Sequence, residues 1–292
     1  MKVSPILAGA VGCLLLFMPV RGADLSAQFA AMNAPMAPFR MTDEIYYVGA
    51  RDVTSFLIVS DAGLILTDGG FAQTAPQIQA NIKALGFDIA NVKILLNSHA
   101  HFDHAGGLAE LKAASGARLL ASAKDAPVLE SGGKADFAHF GPQGYFPPVK
   151  VDGMIADGQQ TTLGNVTLTA HLTPGHTKGC TSWTMIAHVH GKPENVLFIC
   201  SLTVLPTYRL LSEPDYPQMS ADFEASFKTL GGLPCDIFLA SHGSFFDLVG
   251  KREKMKANPA INPFIDPTGC RTYIDWAQAR YNAELAKERM KP

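Results

Sequence analysis

Three histidines and one aspartate lie within six positions of the chain, in the stretch KILLNSHAHFDHAGG at residues 93–107. Imidazole nitrogens and carboxylate oxygens are among the ligands that zinc most often takes in proteins. Only nine histidines occur in 292 residues, so three in one short segment indicate a metal site rather than a surface loop with incidental histidines. The four side chains are those of His99, His101, Asp103 and His104.

The residues before this cluster predict how it is presented. The apolar run at 94–96 is typical of the end of a buried strand. Side chains alternate along an extended chain, so His99 and His101 would share one face and hold one ion. Asp103 and His104 then fall on the turn, beside a second ion. The two glycines that follow let the backbone swing into LAELKAASG, which predicts a helix.

Two further histidines also follow predicted strands. His176 stands after a Pro-Gly turn in HLTPGHTKG, and His242 follows a buried strand in FLASHGS. Either one alone would be an ordinary surface or core histidine, but beside the cluster both become candidate ligands. His188 and His190 lie in a polar hairpin and are expected to be solvent-exposed. His139 lies in a long loop, from which it could touch a substrate.

The N-terminal residues predict a secretory signal peptide over residues 1–23. Lys2 precedes an apolar run from Ile6 to Val20, which is too short for a comfortable membrane span, and small residues follow it. Its removal takes away Lys2 and Arg21 and changes the net charge from −2 to −4. A rival interpretation makes Cys13 a lipidation site, but the apolar run continues past it. The mature protein, residues 24–292, is expected to be periplasmic, with no membrane association after cleavage.

The cysteine count agrees with export. Four cysteines remain after Cys13 is removed, and an even number in an exported protein predicts two disulfides, with three possible connectivities. They are Cys180, Cys200, Cys235 and Cys270. The small net charge gives no indication of a nucleic-acid partner.

Predicted strands and helices come in two similar halves, each a run of strands followed by strand–helix units. The chain is 47% hydrophobic and 17% charged, which suits a globular protein of this length. We therefore expect an α/β layered sandwich with the ligand-bearing turns at one edge. Asp68, in TDGG, either fixes the tautomer of a ligand histidine or caps the turn before the two glycines.

In this order, LTDGG, HAHFDH, TPGHT and SHG resemble the metallo-β-lactamase superfamily over nearly all of residues 40–290. The resemblance implies a four-layer αβ/βα sandwich. The sequence is most similar to the third subclass of zinc metallo-β-lactamases, which carry His after the motif Asp, here His104. They also carry Ser, here Ser201, where the other subclasses have a Cys ligand and the wider superfamily a bridging Asp.

The resemblance implies two zinc ions and assigns their ligands. The first would be bound by His99, His101 and His176, and the second by Asp103, His104 and His242. Ser201 and Thr203 resemble the hydroxyl pair that contacts the β-lactam carboxylate.

The resembling subclass ties down its C-terminal helix by a bridge in the place of Cys235 and Cys270. Cys180 and Cys200 lie on strands leading away from TPGHT and up to Ser201, and are expected to pair across neighbouring strands. A free Cys200 would instead be a candidate ligand of the second zinc.

The chemistry of such a site is amide hydrolysis. Zinc lowers the pKa of bound water from about 15.7 to roughly 7, so hydroxide is available at neutral pH. Asp103 would orient this nucleophile toward the strained amide of penicillins, cephalosporins and carbapenems, an activity associated with antibiotic resistance. The alternatives are another exported metallo-hydrolase of the superfamily, a lactonase or thioesterase, and a non-enzymatic zinc-binding protein. Ser201 in place of the bridging Asp disfavours the other metallo-hydrolases. The open coordination positions disfavour the non-enzymatic zinc-binding protein.

Overall fold

Two β-sheets face each other between two layers of helices in the computed structural model, which describes residues 22–290. Seven strands form the first sheet in sequential order, and five form the second in the order β12-β11-β10-β9-β8. The strands are β1 Phe39–Arg40, β2 Ile45–Tyr47, β3 Phe56–Ser60, β4 Gly63–Thr67, β5 Val92–Leu96, β6 Arg118–Ser122, β7 Gly153–Ile155, β8 Gln160–Leu163, β9 Val166–Leu172, β10 Thr181–Val189, β11 Lys192–Ile199 and β12 Ile237–Ala240. The helices are α1 Gly22–Met32, α2 Ala75–Ala84, α3 Phe102–Ala105, α4 Leu108–Ser115, α5 Ala126–Ser131, α6 Met219–Gly231, α7 Leu248–Ala257 and α8 Gly269–Arg289.

Alternation along the strands of the first sheet divides the core in two. Ile58 and Ile65 face the second sheet, whereas Leu57 and Leu66 face the helices α2 and α4 on the outer side. Because both faces are covered, these strands are apolar along their length. Helices α6 and α8 cover the second sheet in the same way, with Phe223 and other aromatic side chains in the same core as the inner faces. The predicted four-layer αβ/βα sandwich is therefore confirmed.

The strands that precede the candidate ligands point the same way within each sheet. In the first sheet β4, β5 and β6 are parallel, and in the second β11 and β12 are parallel, with β9 running in the same direction. The backbone N–H of Thr181 donates to the carbonyl of Ser98 at 2.8 Å and joins the two sheets where these strands end. The carboxyl-terminal turns of both sheets thus meet at one edge.

The long segment between β6 and β7 contains more regular structure than its low periodicity predicted. It includes the helix α5, with Pro127 in its first turn and Gly132 in the left-handed conformation at its end. These residues are typical helix boundaries, but a six-residue helix is too short to give a periodic signal. A short 3₁₀ turn, Gly141–Gly144, follows in the same segment.

The glycines after the cluster serve close packing more than a change of direction. Asp103 and His104 lie in the short helix α3 instead of an open turn. A Cβ atom on Gly107 would lie 2.3 Å from the carbonyl oxygen of Gly69, so only glycine allows the two backbones to approach. The N–H of Gly69 in turn donates to the carbonyl of His104 at 2.7 Å. The TDGG turn therefore supports the ligand-bearing helix directly.

The predicted signal peptide, including Cys13, falls on residues that lie outside the described range except for Gly22 and Ala23, where α1 begins. Within residues 22–290, no helix has the length and apolar character needed to cross a bilayer.

Candidate metal centre

All six candidate ligands lie at the edge where the carboxyl ends of the strands meet. The turn after β5 carries His99 and His101, and α3 follows with Asp103 and His104. His176 follows β9, and His242 follows β12. The structure brings these residues together in the two groups that the family resemblance implied.

The first set consists of three buried histidines. The ring centroids of His99, His101 and His176 are 4.7 to 4.9 Å apart in every pairing. Each ring offers a nitrogen to a common centre, and these three atoms lie within 4.8 Å of one another. All three residues are at most 5% exposed, so the three rings are almost completely shielded from solvent.

The second set is tighter. Nε2 of His104 lies 3.2 Å from Nε2 of His242 and 3.3 Å from Oδ2 of Asp103, and His242 Nε2 lies 3.6 Å from the same carboxylate oxygen. Zinc binds nitrogen and oxygen ligands at about 2.0–2.2 Å with tetrahedral geometry, which places neighbouring ligand atoms roughly 3.3–3.6 Å apart. The three atoms therefore already have the spacing of one face of a zinc coordination tetrahedron.

Protein groups contact Nδ1 in three of the five candidate ligand rings, those of His176, His242 and His99. Nδ1 of His176 donates to the carbonyl oxygen of Thr203 at 2.8 Å, and Nδ1 of His242 donates to Oδ2 of Asp52 at 3.0 Å. Nδ1 of His99 lies 3.0 Å from Oγ of Ser98. Because Nδ1 is the donor in His176 and His242, Nε2 of these two rings keeps its lone pair for a metal ion.

One observation shows that the donor set fits a metal ion. Nε2 of His99 is buried and has no hydrogen-bond partner in the described structure. A buried polar atom without a partner is costly, and nearly all such atoms in folded proteins are satisfied by protein, water or an ion. Zinc suits nitrogen donors in this number and arrangement.

Burial keeps the first set neutral. Desolvation lowers the pKa of His101 to about 4 and holds the pKa values of His99 and His176 well below the usual range of histidine, with the neighbouring rings acting in the same direction. Neutral imidazole is the form that binds a metal. The first set is therefore ready to bind metal at neutral pH without losing protons.

The second set carries the negative charge. Burial alone would raise the pKa of Asp103, but His104 and His242 beside it lower that pKa below the usual range. Burial would likewise lower the pKa of His104, and the Asp103 carboxylate reverses the direction and raises it. Asp103 is thus ionised, and its carboxylate faces both rings of its set.

The predicted hydroxyl pair borders the first set. Oγ of Ser201 and Oγ1 of Thr203 lie 3.0 Å apart, and Thr203 Oγ1 lies 3.2 Å from Nδ1 of His176. The backbone of Leu202, between them, donates to the hydroxyl of Tyr273 at 3.2 Å. This anchor in helix α8 fixes the two hydroxyls beside the histidines.

The four cysteines form two disulfides. Cys180 pairs with Cys200 and Cys235 with Cys270, with Cα–Cα distances of 5.8 and 6.4 Å. Cys200 Sγ lies 3.5 Å from Nδ1 of His99, which puts His99, Cys180 and Cys200 close enough for a metal-binding group. Because a disulfide sulfur is not a thiolate, this third group is not a ligand set in the oxidised chain.

Three further aspartates, Asp68, Asp52 and Asp136, lie close to the ligand residues. The carboxylate of Asp68 accepts from the backbone N–H of Ser98 and the side-chain amide of Asn97, so it supports the ligand turn and does not hydrogen-bond a histidine ring. The predicted role in fixing a tautomer belongs instead to Asp52. Oδ2 of Asp136 lies 3.5 Å from Nε2 of His101, outside hydrogen-bond geometry.

No local pattern in the sequence marks Asp52 as a functional residue, because its partner lies 190 residues away. Two histidines outside the ligand sets, His139 and His188, have carboxylate partners. His139 Nε2 lies 2.8 Å from Oδ2 of Asp215, a pair that joins the long loop to the segment after β11. His188, expected to be solvent-exposed, is partly covered by Glu44, whose Oε1 lies 2.6 Å from Nδ1 of the ring. That pair connects the second sheet to the start of β2, which local sequence could not show.

Comparison with known proteins gives consistent matches. The family model described as the metallo-beta-lactamase superfamily matches residues 48–188. The structure of native FEZ-1 metallo-β-lactamase from Legionella gormanii is 42% identical, with a TM-score of 0.87 over 89% of this chain and 99% of that chain. BJP-1, a subclass B3 metallo-β-lactamase of Bradyrhizobium japonicum, is 39% identical, with a TM-score of 0.83 over 89% and 97% of the two chains.

Curated relatives match over a shorter range. A hydroxyacylglutathione hydrolase of Rhodospirillum rubrum is 30% identical over 105 residues, which is 36% of this chain and 32% of that protein. The chain matches less than half the length of this hydrolase and of a probable metallo-hydrolase of Burkholderia pseudomallei. The full-length similarity therefore rests on the solved structures.

Proposed function

The chain belongs to the metallo-β-lactamase superfamily, and we propose that it is a zinc-dependent hydrolase that opens the amide of penicillins, cephalosporins and carbapenems. The observation that carries the proposal is the pair of adjacent three-ligand sets. One set is neutral and the other contains an ionised carboxylate. Similarity to a metallo-β-lactamase over 89% of the chain supports the same chemistry.

Two zinc ions would occupy the two sets. His99, His101 and His176 would hold the first, and Asp103, His104 and His242 the second. Zinc supplies Lewis acidity and lowers the pKa of a coordinated water to about 7. Three protein ligands in each set leave coordination positions open, which is the pattern of catalytic zinc rather than structural zinc.

The side chain that acts on the attacking water is Asp103. Its carboxylate is ionised, borders the gap between the two sets, and can accept a hydrogen bond from the water to orient it. Asp52 and the Thr203 carbonyl fix the tautomers and orient the rings of His242 and His176.

Ser201 and Thr203 would bind the carboxylate that β-lactam substrates carry. Their hydroxyls are 3.0 Å apart, and both can donate to an anion placed between them and the first set. A hydrogen bond to a charged group is worth about 1.5–3 kcal/mol, enough to position a small ligand. This contact is remote from the scissile amide and would act mainly on binding.

A second candidate is hydrolysis of a glutathione thioester, favoured by the match to the Rhodospirillum rubrum hydroxyacylglutathione hydrolase. Ser201 stands where the wider superfamily places a bridging aspartate, which disfavours this candidate. Purified protein assayed side by side with a carbapenem and a glutathione thioester distinguishes the two. Turnover of the carbapenem alone is expected, and turnover of the thioester alone would replace the proposal.

The proposed mature protein comprises residues 24–292 in the periplasm. The predicted signal peptide and the two disulfides, which form in oxidising compartments, support export. N-terminal sequencing of protein from the periplasmic fraction tests this. A chain that starts after Gly22 or Ala23 is expected, and an intact N-terminus in the cytosol would contradict it.

A further inference from the structure

A buried carboxylate connects the two loops that carry the first histidine set. Oδ2 of Asp125 accepts a hydrogen bond from the backbone N–H of Ala100 at 3.0 Å and from the hydroxyl of Thr177 at 3.0 Å. Ala100 lies between His99 and His101, and Thr177 directly follows His176. One oxygen atom therefore bonds to neighbours of all three histidines.

The approach of the carboxylate to the second loop is unusually close. The backbone of Gly179 lies directly against Asp125. A Cβ atom on Gly179 would lie 2.6 Å from Cγ of Asp125 and 2.1 Å from Oγ of Ser122, so glycine is needed for this contact. The N–H of Asp125 itself donates to Ser122 Oγ at 3.2 Å, which holds the carboxylate against both loops.

Asp125 is buried, and its hydrogen-bond donors come from the two loops that carry the histidines. Asp125 is 2% exposed and lies in the segment that follows β6, so its carboxylate contacts the two loops from within the protein interior. A buried carboxylate is costly unless donors surround it. Here the donors come from the two ligand loops, and although Asp125 precedes helix α5, its side chain makes no capping hydrogen bond to that helix.

We propose that Asp125 is a positioning residue for the first metal set: its carboxylate couples the HAH turn to the GHT turn and fixes the spacing of His99, His101 and His176. The proposal rests on the function proposed above, because it assumes that these histidines bind metal. Without the carboxylate the two loops have no common acceptor, and the three rings lose their fixed separation. The second set contacts neither Ala100 nor Thr177 in this way and is expected to keep its affinity.

The test measures metal binding and needs no turnover. Metal-free full-length protein is dialysed against buffered cobalt(II) or zinc solutions, which yields two dissociation constants. The step that survives His242→Ala belongs to the first set. In Asp125→Ala the affinity of that step is expected to fall about 10- to 100-fold, the usual effect of losing a group that orients ligands. The cobalt absorption spectrum of the first set should change as well.

Two further variants grade the effect. Asp125→Asn keeps one acceptor oxygen and should rescue part of the affinity. Thr177→Val removes a single hydrogen bond at constant shape and should weaken only the first set, by a smaller factor. It also provides the test if Asp125→Ala does not fold. Asp236→Ala is the matched control, because Asp236 accepts from the backbone N–H of Asn195 at 2.8 Å and touches neither ligand loop.

The possible outcomes separate this proposal from the proposed function. First-set affinity unchanged in Asp125→Ala and Thr177→Val, or lowered equally in Asp236→Ala, would overturn the role of Asp125 alone. A wild-type chain that binds no metal at the three histidines would overturn the proposed function and this inference with it.

Discussion

Oδ2 of Asp52 accepts a hydrogen bond from Nδ1 of His242 at 3.0 Å, across 190 residues of sequence. Oδ1 of the same carboxylate accepts from the backbone N–H of Ser244 at 2.7 Å. Asp52 therefore fixes both the ring of His242 and the turn that carries it. A carboxylate in this position sets the tautomer of a histidine and raises its basicity as a ligand.

Asp52→Asn is expected to lower zinc affinity at the second set about 10- to 100-fold, because the amide is a weaker partner for the imidazole N–H. Equilibrium dialysis with zinc measures this, and Asp275→Asn, on the exposed face of α8, is the matched control. Equal zinc affinity in the Asp52 variant and the control would show that the hydrogen bond has no role in metal binding.

Asp103→Asn is expected to leave the fold intact and to lower kcat about 10²- to 10⁴-fold, the range for loss of a residue that handles a proton in the transition state. The carboxylate is the ionised group of its set, and asparagine keeps its shape without its charge. Steady-state kinetics and circular dichroism measure the two effects. Kinetics like those of Asp275→Asn would mean that the catalytic assignment is wrong.

Ser201→Ala or Thr203→Val is expected to raise KM about 10-fold or more with a small change in kcat. The hydroxyls would contact a substrate group remote from the reacting bond, so their loss removes binding that ground state and transition state share. Thr203→Ser, which keeps the hydroxyl, serves as the control. Zinc lost from Ser201→Ala would instead make Ser201 a ligand.

The two disulfides are expected to differ in what they stabilise. Cys235–Cys270 closes a separation of 35 residues, and replacing both cysteines by serine should cost about 3–4 kcal/mol of unfolding free energy without lowering zinc affinity. Cys180–Cys200 lies against His99, so its removal should lower both the unfolding free energy and the zinc affinity. Urea unfolding and zinc dialysis measure these changes, and peptide mapping of the non-reduced protein checks the pairing. A zinc affinity that depends on Cys235–Cys270 alone would contradict the distinction.

Local sequence indicated the cluster and the strand ends that carry His176 and His242, whereas the division of the six residues into two sets came from the family resemblance. The run at 94–96 and the strand before His242 are short, apolar and bounded by turns, and parallel pairing in each sheet brings such ends to one edge. The residues that contact the ligand loops from other parts of the chain could not be predicted from local sequence. Asp52 and Asp125 act on partners far along the chain, and nothing beside them in sequence indicates the contact.

Two local features were also interpreted differently from the structure, for physical reasons. The glycines at 106 and 107 suggested a turn, whereas the structure uses Gly107 for close contact with Gly69. The helix α5 was missed because six residues give less than two turns of periodicity. The Gly107 contact and the helix α5 both depend on residues that are neighbours only in the folded structure, and a local sequence pattern does not show those neighbours.

The central claim is that the two ligand sets make this chain a zinc-dependent β-lactam hydrolase. The direct measurement is carbapenem hydrolysis by the purified mature protein before dialysis against a chelator, after it, and after zinc is added back, with zinc content measured each time. Activity should disappear with the zinc and return when about two ions per chain are bound again. Undiminished turnover by fully zinc-free protein, or no turnover by the zinc-loaded chain, would contradict the claim.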